Sequence, residues 1–183
     1  MLSVLKIVTH ASNLLGDKEM IEDIKNKNYN NENIDVLMTA VNMLNNQIAA
    51  NYIDIVETVK VSVSKGTIPY YEISTRNILQ IKSVATLDGI GVPYETRGNS
   101  ICLPNGDYEI KYSYFPNDVL INDAIDYYTN ISERIFAQGV VGEYLFLKGD
   151  IEEASAWDKR FKQNLFCALR PRRGITMPKR RWV

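Results

Sequence analysis

Few residues of the types that perform catalysis or bind metals occur in this chain. His10 is the single histidine, and the two cysteines, Cys102 and Cys167, lie far apart and outside any CxxC pattern. A structural zinc site usually needs four Cys or His ligands at short spacings, which these residues do not supply. Catalysis at His10 would need a base or nucleophile beside it, and none can be assigned from the sequence. We expect a protein that is not an enzyme, binds no metal or cofactor, and buries both thiols in reduced form. A Mg²⁺ site made only of Asp and Glu residues stays open, although the acidic residues of 19–23 fit the solvated face of a short helix.

Two further patterns could bind nucleotides, but each has a commoner structural explanation. Gly89 and Gly91 stand in DGIGVP, which lacks the third glycine and the following helix of a phosphate-binding loop, so we predict a turn. Tyr108, Tyr112 and Tyr114 could stack on bases. Because they alternate along a strand, we predict instead that they form the aromatic face of a half-buried sheet.

In the C-terminal segment, residues 170–183, a binding function is favoured over a purely structural or solubilising role. It contains six basic residues, no acidic residue, and Trp182. A merely solubilising segment would not need an exposed tryptophan. The segment could dock in a protein groove or bind the phosphates of a nucleic acid. We favour the protein groove and predict these partner-binding residues: Arg170, Arg172, Arg173, Lys179, Arg180, Arg181 and Trp182.

Charge is divided unequally along the chain. There are 21 Lys and Arg residues against 22 Asp and Glu residues, a net charge of −1. Because six of the basic residues lie in residues 170–183, the body carries about −7 and the tail about +6. DNA phosphates should slide past an acidic body rather than adhere to it. No segment is long and apolar enough to span a membrane, so we expect no membrane partner.

Helices are predicted in the first third of the chain. Apolar residues from Val4 to Leu15 recur at helical spacing, Gly16 ends this helix, and Asp17 caps the next one. A stronger signal runs from about Glu32 to Asn51, where apolar residues recur every three or four positions.

At residue 55 the apolar spacing changes to the alternation typical of strands. Val59, Val61 and Val63 alternate with polar residues, and further strands are predicted at 67–74, 78–86, 100–103 and 107–115. Asn105-Gly106 accepts positive φ, so we predict a hairpin that joins 100–103 to 107–115. The middle third is therefore predicted to form one small, mostly antiparallel sheet.

Two helices are predicted after this sheet. The first follows an apolar face from Leu120 to about Lys148 and contains Gly139 and Gly142, which cost roughly 1 kcal/mol each relative to alanine inside a helix. Their expected use is close packing against another backbone. A D-x-x-E capping box at residue 150 begins the second helix, in which Asp158 and Lys162 can form an i,i+4 pair. We predict that the aromatic residues of the second helix pack on the glycine-containing face of the first. The structural residues predicted for this contact are Gly139, Gly142, Trp157 and Phe161.

These elements predict an α+β protein that is mainly helical. The N-terminal and C-terminal helices would pack as a bundle with a small antiparallel β insertion at about residues 55–116 and an extended basic C-terminal tail. We predict a single domain over residues 1–169, with helical residues 1–53, a β insertion at 54–116 and helical residues 117–169. Residues 170–183 would form a docking arm.

Three segments resemble the head–tail connector (neck adaptor) proteins of tailed bacteriophages, including the tail tubular protein A type. They are PNGDYEIKYSYFPND at 104–118, ERIFAQGVVGEYLFLKGD at 133–150 and EEASAWDKRFKQNL at 152–165. In that family a strand ends in a Tyr/Pro segment. A helix rich in small residues then leads through Gly-Asp into a helix with a Trp and an Arg-Phe or Arg-Tyr pair. The resemblance is one of pattern and spans most of the chain from about residue 30 onward.

The resemblance implies a structural subunit of the phage head–tail connector ring, found in the neck of the virion and assembled in the host cytoplasm. Such proteins form a homo-oligomeric ring, usually a dodecamer, beneath the portal protein. They dock tail, tail-tube or nozzle proteins and extend the DNA channel, through which genomic DNA passes without sequence-specific binding. They need no cofactor.

Two other functions stay open on the sequence alone. The chain could be another neck or tail-completion protein, which would differ from a connector in ring stoichiometry and position in the virion. It could also be a nucleic-acid-binding protein that uses the basic tail, and this reading predicts salt-sensitive DNA binding by the free protein.

Overall fold

The computed structural model describes residues 1–128 and 130–170. In that part of the chain there are six helices: α1 (Val4–Leu15), α2 (Lys18–Lys25), α3 (Glu32–Asn51), α4 (Tyr70–Ile73), α5 (Glu133–Lys148) and α6 (Ile151–Leu169). The same residues form eight strands: β1 (Leu2–Ser3), β2 (Val56–Val63), β3 (Thr67–Pro69), β4 (Ile78–Thr86), β5 (Glu95–Arg97), β6 (Ser100–Cys102), β7 (Gly106–Tyr114) and β8 (Ala124–Ile125).

The N-terminal helices begin and end as their capping residues predict. Gly16 follows α1 with φ 70°, a conformation in which glycine is unstrained, and Asp17 accepts a hydrogen bond from the Met20 backbone N–H at the start of α2. Helix α3 has the predicted bounds and buries the apolar face defined by its three- and four-residue spacing. These predictions are confirmed.

The strands form three antiparallel sheets. The main sheet has the order β2-β7-β4, a second has the order β3-β6-β5, and β1 pairs with β8 in a third. In the main sheet β2 pairs with β7 along its whole length without interruption, whereas the pairing of β4 with β7 shifts register twice. Tyr108, Tyr112 and Tyr114 on β7 are buried, which confirms their predicted place on the covered face of a sheet.

The prediction of a mainly helical bundle with one small β insertion is wrong. The chain is α+β, with 47% helix and 24% strand in its described residues, and the strands form three sheets rather than one. One of these sheets, β1 with β8, lies outside the predicted insertion, since it joins residues 2–3 to residues 124–125. Pairing between such distant segments depends on tertiary contacts that spacing along the chain does not reveal.

The predicted hairpin between 100–103 and 107–115 is also wrong. β6 pairs with β3 and β5, and β7 lies at the centre of the other three-stranded sheet. The Asn105 side chain accepts a hydrogen bond from the Gly66 backbone N–H, so this turn is held against a distant part of the chain rather than closing a hairpin. The predicted strand 67–74 ends early as well, because β3 stops at Pro69 and the short α4 follows.

The predicted helix from Leu120 begins later, at Glu133. Asp123 closes a turn in which its side chain accepts from the Leu120 backbone N–H and its backbone N–H donates to the Leu120 carbonyl. Local bonds of this kind compete with helix formation. Ile125 then pairs with Leu2 in the small sheet, and α5 starts only where Ser132 accepts from the Ile135 N–H.

Helix α5 lies at the centre of the helical part of the core. It packs against α1, α3 and α6, and its buried residues include Phe136, Val140 and Val141. Both cysteines are free, but the prediction of buried thiols is wrong: Cys102 is half-buried in β6, and Cys167 is exposed on the outer face of α6.

Candidate protein-docking surfaces

The four predicted structural residues lie where α5 meets α6. A Cβ atom added to Gly139 would lie 2.7 Å from Leu44 Cδ2 and 3.0 Å from Phe161 Cδ2. One added to Gly142 would lie 3.3 Å from a backbone nitrogen of α6 and 3.6 Å from Trp157 Cβ. The two glycines therefore allow α6, and at Gly139 also α3, to approach α5 closely.

The two aromatic residues of this contact differ in burial. Phe161 is only 1% exposed, whereas Trp157 is half-buried. The Trp157 indole N–H donates to Glu153 Oε1 at 3.4 Å, and the Arg160 guanidinium carbon lies 5.1 Å from the indole ring centre. Phe161 is thus a core residue, while Trp157 keeps an edge in contact with solvent.

A groove lined by α3, α5 and α6 opens beside this contact, and we call it the α5–α6 groove. Its volume is about 310 Å³. Phe146 and Ile151 line it and are 59% and 65% exposed, so two large apolar side chains face solvent here. The other lining residues are Gln47, Gly142, Glu143, Ala154, Ser155, Asp158 and Lys162.

Hydrogen-bond acceptors outnumber donors in the α5–α6 groove. Burial raises the pKa of Glu143, the nearby Asp158 carboxylate raises it further, and Lys162 partly opposes the change. Lys162 is already engaged, because its Nζ donates to Asp158 Oδ2 at 2.7 Å, as the sequence spacing predicts. The Gln47 Oε1 atom is buried and accepts no hydrogen bond from the described residues.

This arrangement suits one kind of ligand. A buried acceptor without a donor costs about 1–3 kcal/mol, and a partly buried carboxylate costs more when a like charge is near. A ligand that supplies a cationic N–H donor would lower the cost of the Glu143 carboxylate, while an apolar group beside it would cover Phe146 and Ile151. The groove is therefore suited to a segment that combines arginine or lysine with apolar side chains.

A second surface is the free edge of β2 in the main sheet. The Ile55 carbonyl accepts from the Tyr114 N–H, so Ile55 and Tyr114 form a hydrogen-bonded pair. Hydrogen-bonded and non-bonded pairs alternate along an antiparallel ladder. The backbone groups of residues 56, 58, 60 and 62 therefore point away from β7, and no strand of the described residues pairs with them. Val59 and Val61 are only half-buried, since nothing extends the sheet on this side.

Residues 90–94 cover the opposite edge of the main sheet, strand β4. The Val84 carbonyl accepts from Val92 N at 2.9 Å, and the Thr86 N–H donates to Ile90 O at 2.8 Å. The Tyr94 hydroxyl donates to the Ile81 carbonyl, and two register shifts interrupt the strand. Such features protect sheet edges from further pairing, whereas β2 is regular and has Glu57 and Lys60 as its charged residues. Among residues 1–128 and 130–170, the main sheet is therefore open at the β2 edge and covered at the β4 edge.

Other residues considered for chemistry lie apart from these surfaces. His10 is half-buried on α1, and Gly89, with φ 82°, lies in a turn after β4, as predicted. Within residues 1–128 and 130–170, no group of three or more His, Cys, Asp or Glu side chains is placed to hold a metal ion. Over the same residues, none of the helices has the length and apolar character needed to cross a membrane.

The predicted docking arm lies almost entirely outside the described residues. Arg170 is exposed and extended, with φ −64° and ψ 124°, at the C-terminal cap of α6. No protein-family model matches this chain, and no curated protein matches its sequence. The predicted roles of the remaining arm residues stay predictions: Arg172, Arg173, Lys179, Arg180, Arg181 and Trp182.

Sequence reasoning missed the α5–α6 groove and did not identify β2 as the open edge of the sheet. The i,i+4 spacing of Asp158 and Lys162 indicated their pair, but this spacing does not bring Gln47 beside Glu143. Phe146 and Leu147 give a weak indication of the groove in the sequence. Both are apolar yet fall outside the face of α5 that packs on the core, and both are exposed.

Proposed function

We propose that this chain is a structural subunit of the head–tail connector ring of a tailed bacteriophage, which joins the portal to the tail and extends the DNA channel, and that it is not an enzyme. The observation that carries the proposal is the asymmetry of the main sheet. One edge is open and regular over eight residues, and the other is closed by residues 90–94. The kind of assembly, a connector ring, is inferred from the resemblance in pattern to connector proteins at residues 104–118, 133–150 and 152–165.

An asymmetric edge suits a ring rather than an enzyme scaffold. A ring is built from heterologous contacts, in which each subunit presents two different surfaces to its two neighbours. The open edge of β2 provides one such surface, because an extended segment of a neighbour or of the portal can add to it by main-chain hydrogen bonds. The acidic body, about −7 over residues 1–169, suits a channel through which DNA passes without adhering.

The assembly itself can be tested by mass photometry of the purified chain with and without its cognate portal protein. We expect monomers or weak oligomers alone and, when the portal is present, a ring of the dodecameric size that the resemblance implies. A stable homodimer that gives no larger species with the portal would contradict the proposal. A ring found elsewhere in the virion would indicate another neck or tail-completion protein.

The role of the β2 edge can be tested with a matched pair of substitutions at Lys60. Lys60→Pro removes an N–H that points away from β7, a position where edge strands tolerate proline, and so should block strand addition while leaving the fold intact. Lys60→Ala removes the same side chain but keeps the N–H, and we expect it to assemble normally. Val59→Pro should unfold the sheet, because the Val59 N–H faces β7. Normal ring assembly by Lys60→Pro would exclude the β2 edge as an assembly surface.

A further inference from the structure

We propose that the α5–α6 groove receives residues 171–183 of a neighbouring copy of this chain. The inference rests on the proposed function, because it requires copies to stand side by side. It assigns the arm a protein acceptor site built from Gln47, Glu143, Phe146, Ile151 and Asp158.

The first argument is the match of donors to acceptors. The groove holds the Glu143 carboxylate, which forms no salt bridge with any described residue, and the buried Gln47 Oε1, which lacks a donor there. A guanidinium carries five N–H donors in a planar fork and stays charged, so it is well suited to the Glu143 carboxylate. Residues 171–183 contain four arginines and one lysine and no acidic residue.

The second argument is the match of apolar surface. Phe146 and Ile151 both line the groove and are mostly exposed, and large apolar side chains exposed together often mark an interaction site. The arm carries Ile175, Met177 and Trp182 between and beside its basic residues. A volume of about 310 Å³ holds a few side chains rather than the whole arm, so one anchor with its flanking cations is the expected occupant.

The third argument is the position at which the arm leaves the body. The groove is lined by the first part of α6, up to Lys162, and α6 continues to Leu169, about 10 Å further along its axis. The helix thus ends beyond its own groove, and Arg170 at its C-terminal cap is extended. Thirteen residues can span up to about 43–47 Å, which is long enough to bridge to a copy standing beside this one.

Photo-crosslinking with the full-length chain tests this placement. A benzophenone amino acid would replace Trp182 in unlabelled protein, which is mixed with ¹⁵N-labelled protein that keeps Trp182. Cross-links would be mapped by mass spectrometry in concentrated protein and in rings formed with the portal. We expect the product to join an unlabelled arm to labelled peptides that contain Phe146 or Ile151.

Charge variants provide the matched comparison. Glu143→Lys should lower the cross-link yield about 10-fold or more, as expected for loss of a charged hydrogen bond, and Glu143→Gln should lower it less while preserving side-chain shape. Glu22→Lys makes the same charge change at an exposed site on α2 and should leave the yield unchanged. A melting curve of each variant checks that the fold is retained.

The outcomes separate this inference from the proposed function. Cross-links that fall outside the groove, or that are unaffected by both Glu143 substitutions, would overturn the inference even if rings form normally. Cross-links within one chain only would show that the arm folds back on its own body, which also overturns it. Failure to form a ring with the portal would count against the proposed function, while the cross-links in concentrated protein still decide where the arm binds.

Discussion

Truncating Phe161 should remove a large part of the stability of this fold. Its side chain is 1% exposed, and its Cδ2 atom lies 3.0 Å from where a Cβ on Gly139 would be placed. Replacing a buried phenylalanine with alanine costs about 3–5 kcal/mol. In a protein of this length each kcal/mol shifts the melting temperature by about 2–4 °C, so Phe161→Ala should melt roughly 6–20 °C lower.

Phe166→Ala is the matched control for this experiment. It makes the same change on the same helix, but Phe166 is 68% exposed, so we expect an effect within about 0.5 kcal/mol. Both variants can be compared by urea unfolding followed by circular dichroism. If they lose equal stability, or if Phe161→Ala loses none, the close packing of α6 on α5 described above is incorrect.

Gly139→Ala tests the same contact from the side of α5. The added methyl group would lie 2.7 and 2.9 Å from the two Leu44 Cδ atoms, and overpacking of this kind costs about 1–3 kcal/mol against a helix-propensity gain of about 1 kcal/mol. In the Phe161→Ala background the 3.0 Å contact is removed and Leu44 can shift into the vacated space, so the two changes should be coupled by about 0.5–3 kcal/mol. Additive effects would mean that Gly139 and Phe161 do not share this contact.

Three further results are expected. Trp157→Ala should lower the melting temperature less than Phe161→Ala does, since Trp157 is half-buried; an equal loss would place Trp157 fully in the core. Deleting residues 171–183 should leave the melting curve nearly unchanged but prevent incorporation into particles, and complete infectious particles from the truncated chain would disprove a docking arm. Replacing only the arm arginines should weaken docking in a salt-dependent way, whereas equal retardation of duplex DNA by the isolated arm peptide and by assembled rings would favour nucleic-acid binding.

The sequence by itself determined most helices and strands of this protein. α3 and the later part of the predicted α5 follow from apolar spacing, and Asp17, Gly16 and the residue-150 capping box mark helix ends because they satisfy free backbone groups within a few residues. The strands β2, β4 and β7 follow from alternation. Such signals are local, since the groups that interact are close in the chain.

Only the tertiary structure decided which strands pair and where helix α5 begins. β6 pairs with β3 and β5 instead of β7, and Ile125 joins Leu2 in a sheet, although residues 117–132 have a spacing that also fits a helix face. Alternation shows which side chains share a face of a strand, but it does not identify the neighbouring strand, because that choice depends on packing between distant segments.

The same distinction applies to the two candidate surfaces. The basic residues and Trp182 of the arm are visible in the sequence, since they are adjacent in the chain. The α5–α6 groove brings Gln47 from α3 beside Glu143 from α5 and Asp158 from α6, and the state of the β2 edge depends on whether another segment covers it. Burial, missing donors and free edges are properties of the packed chain, so only the three-dimensional arrangement of the helices and sheets could establish them.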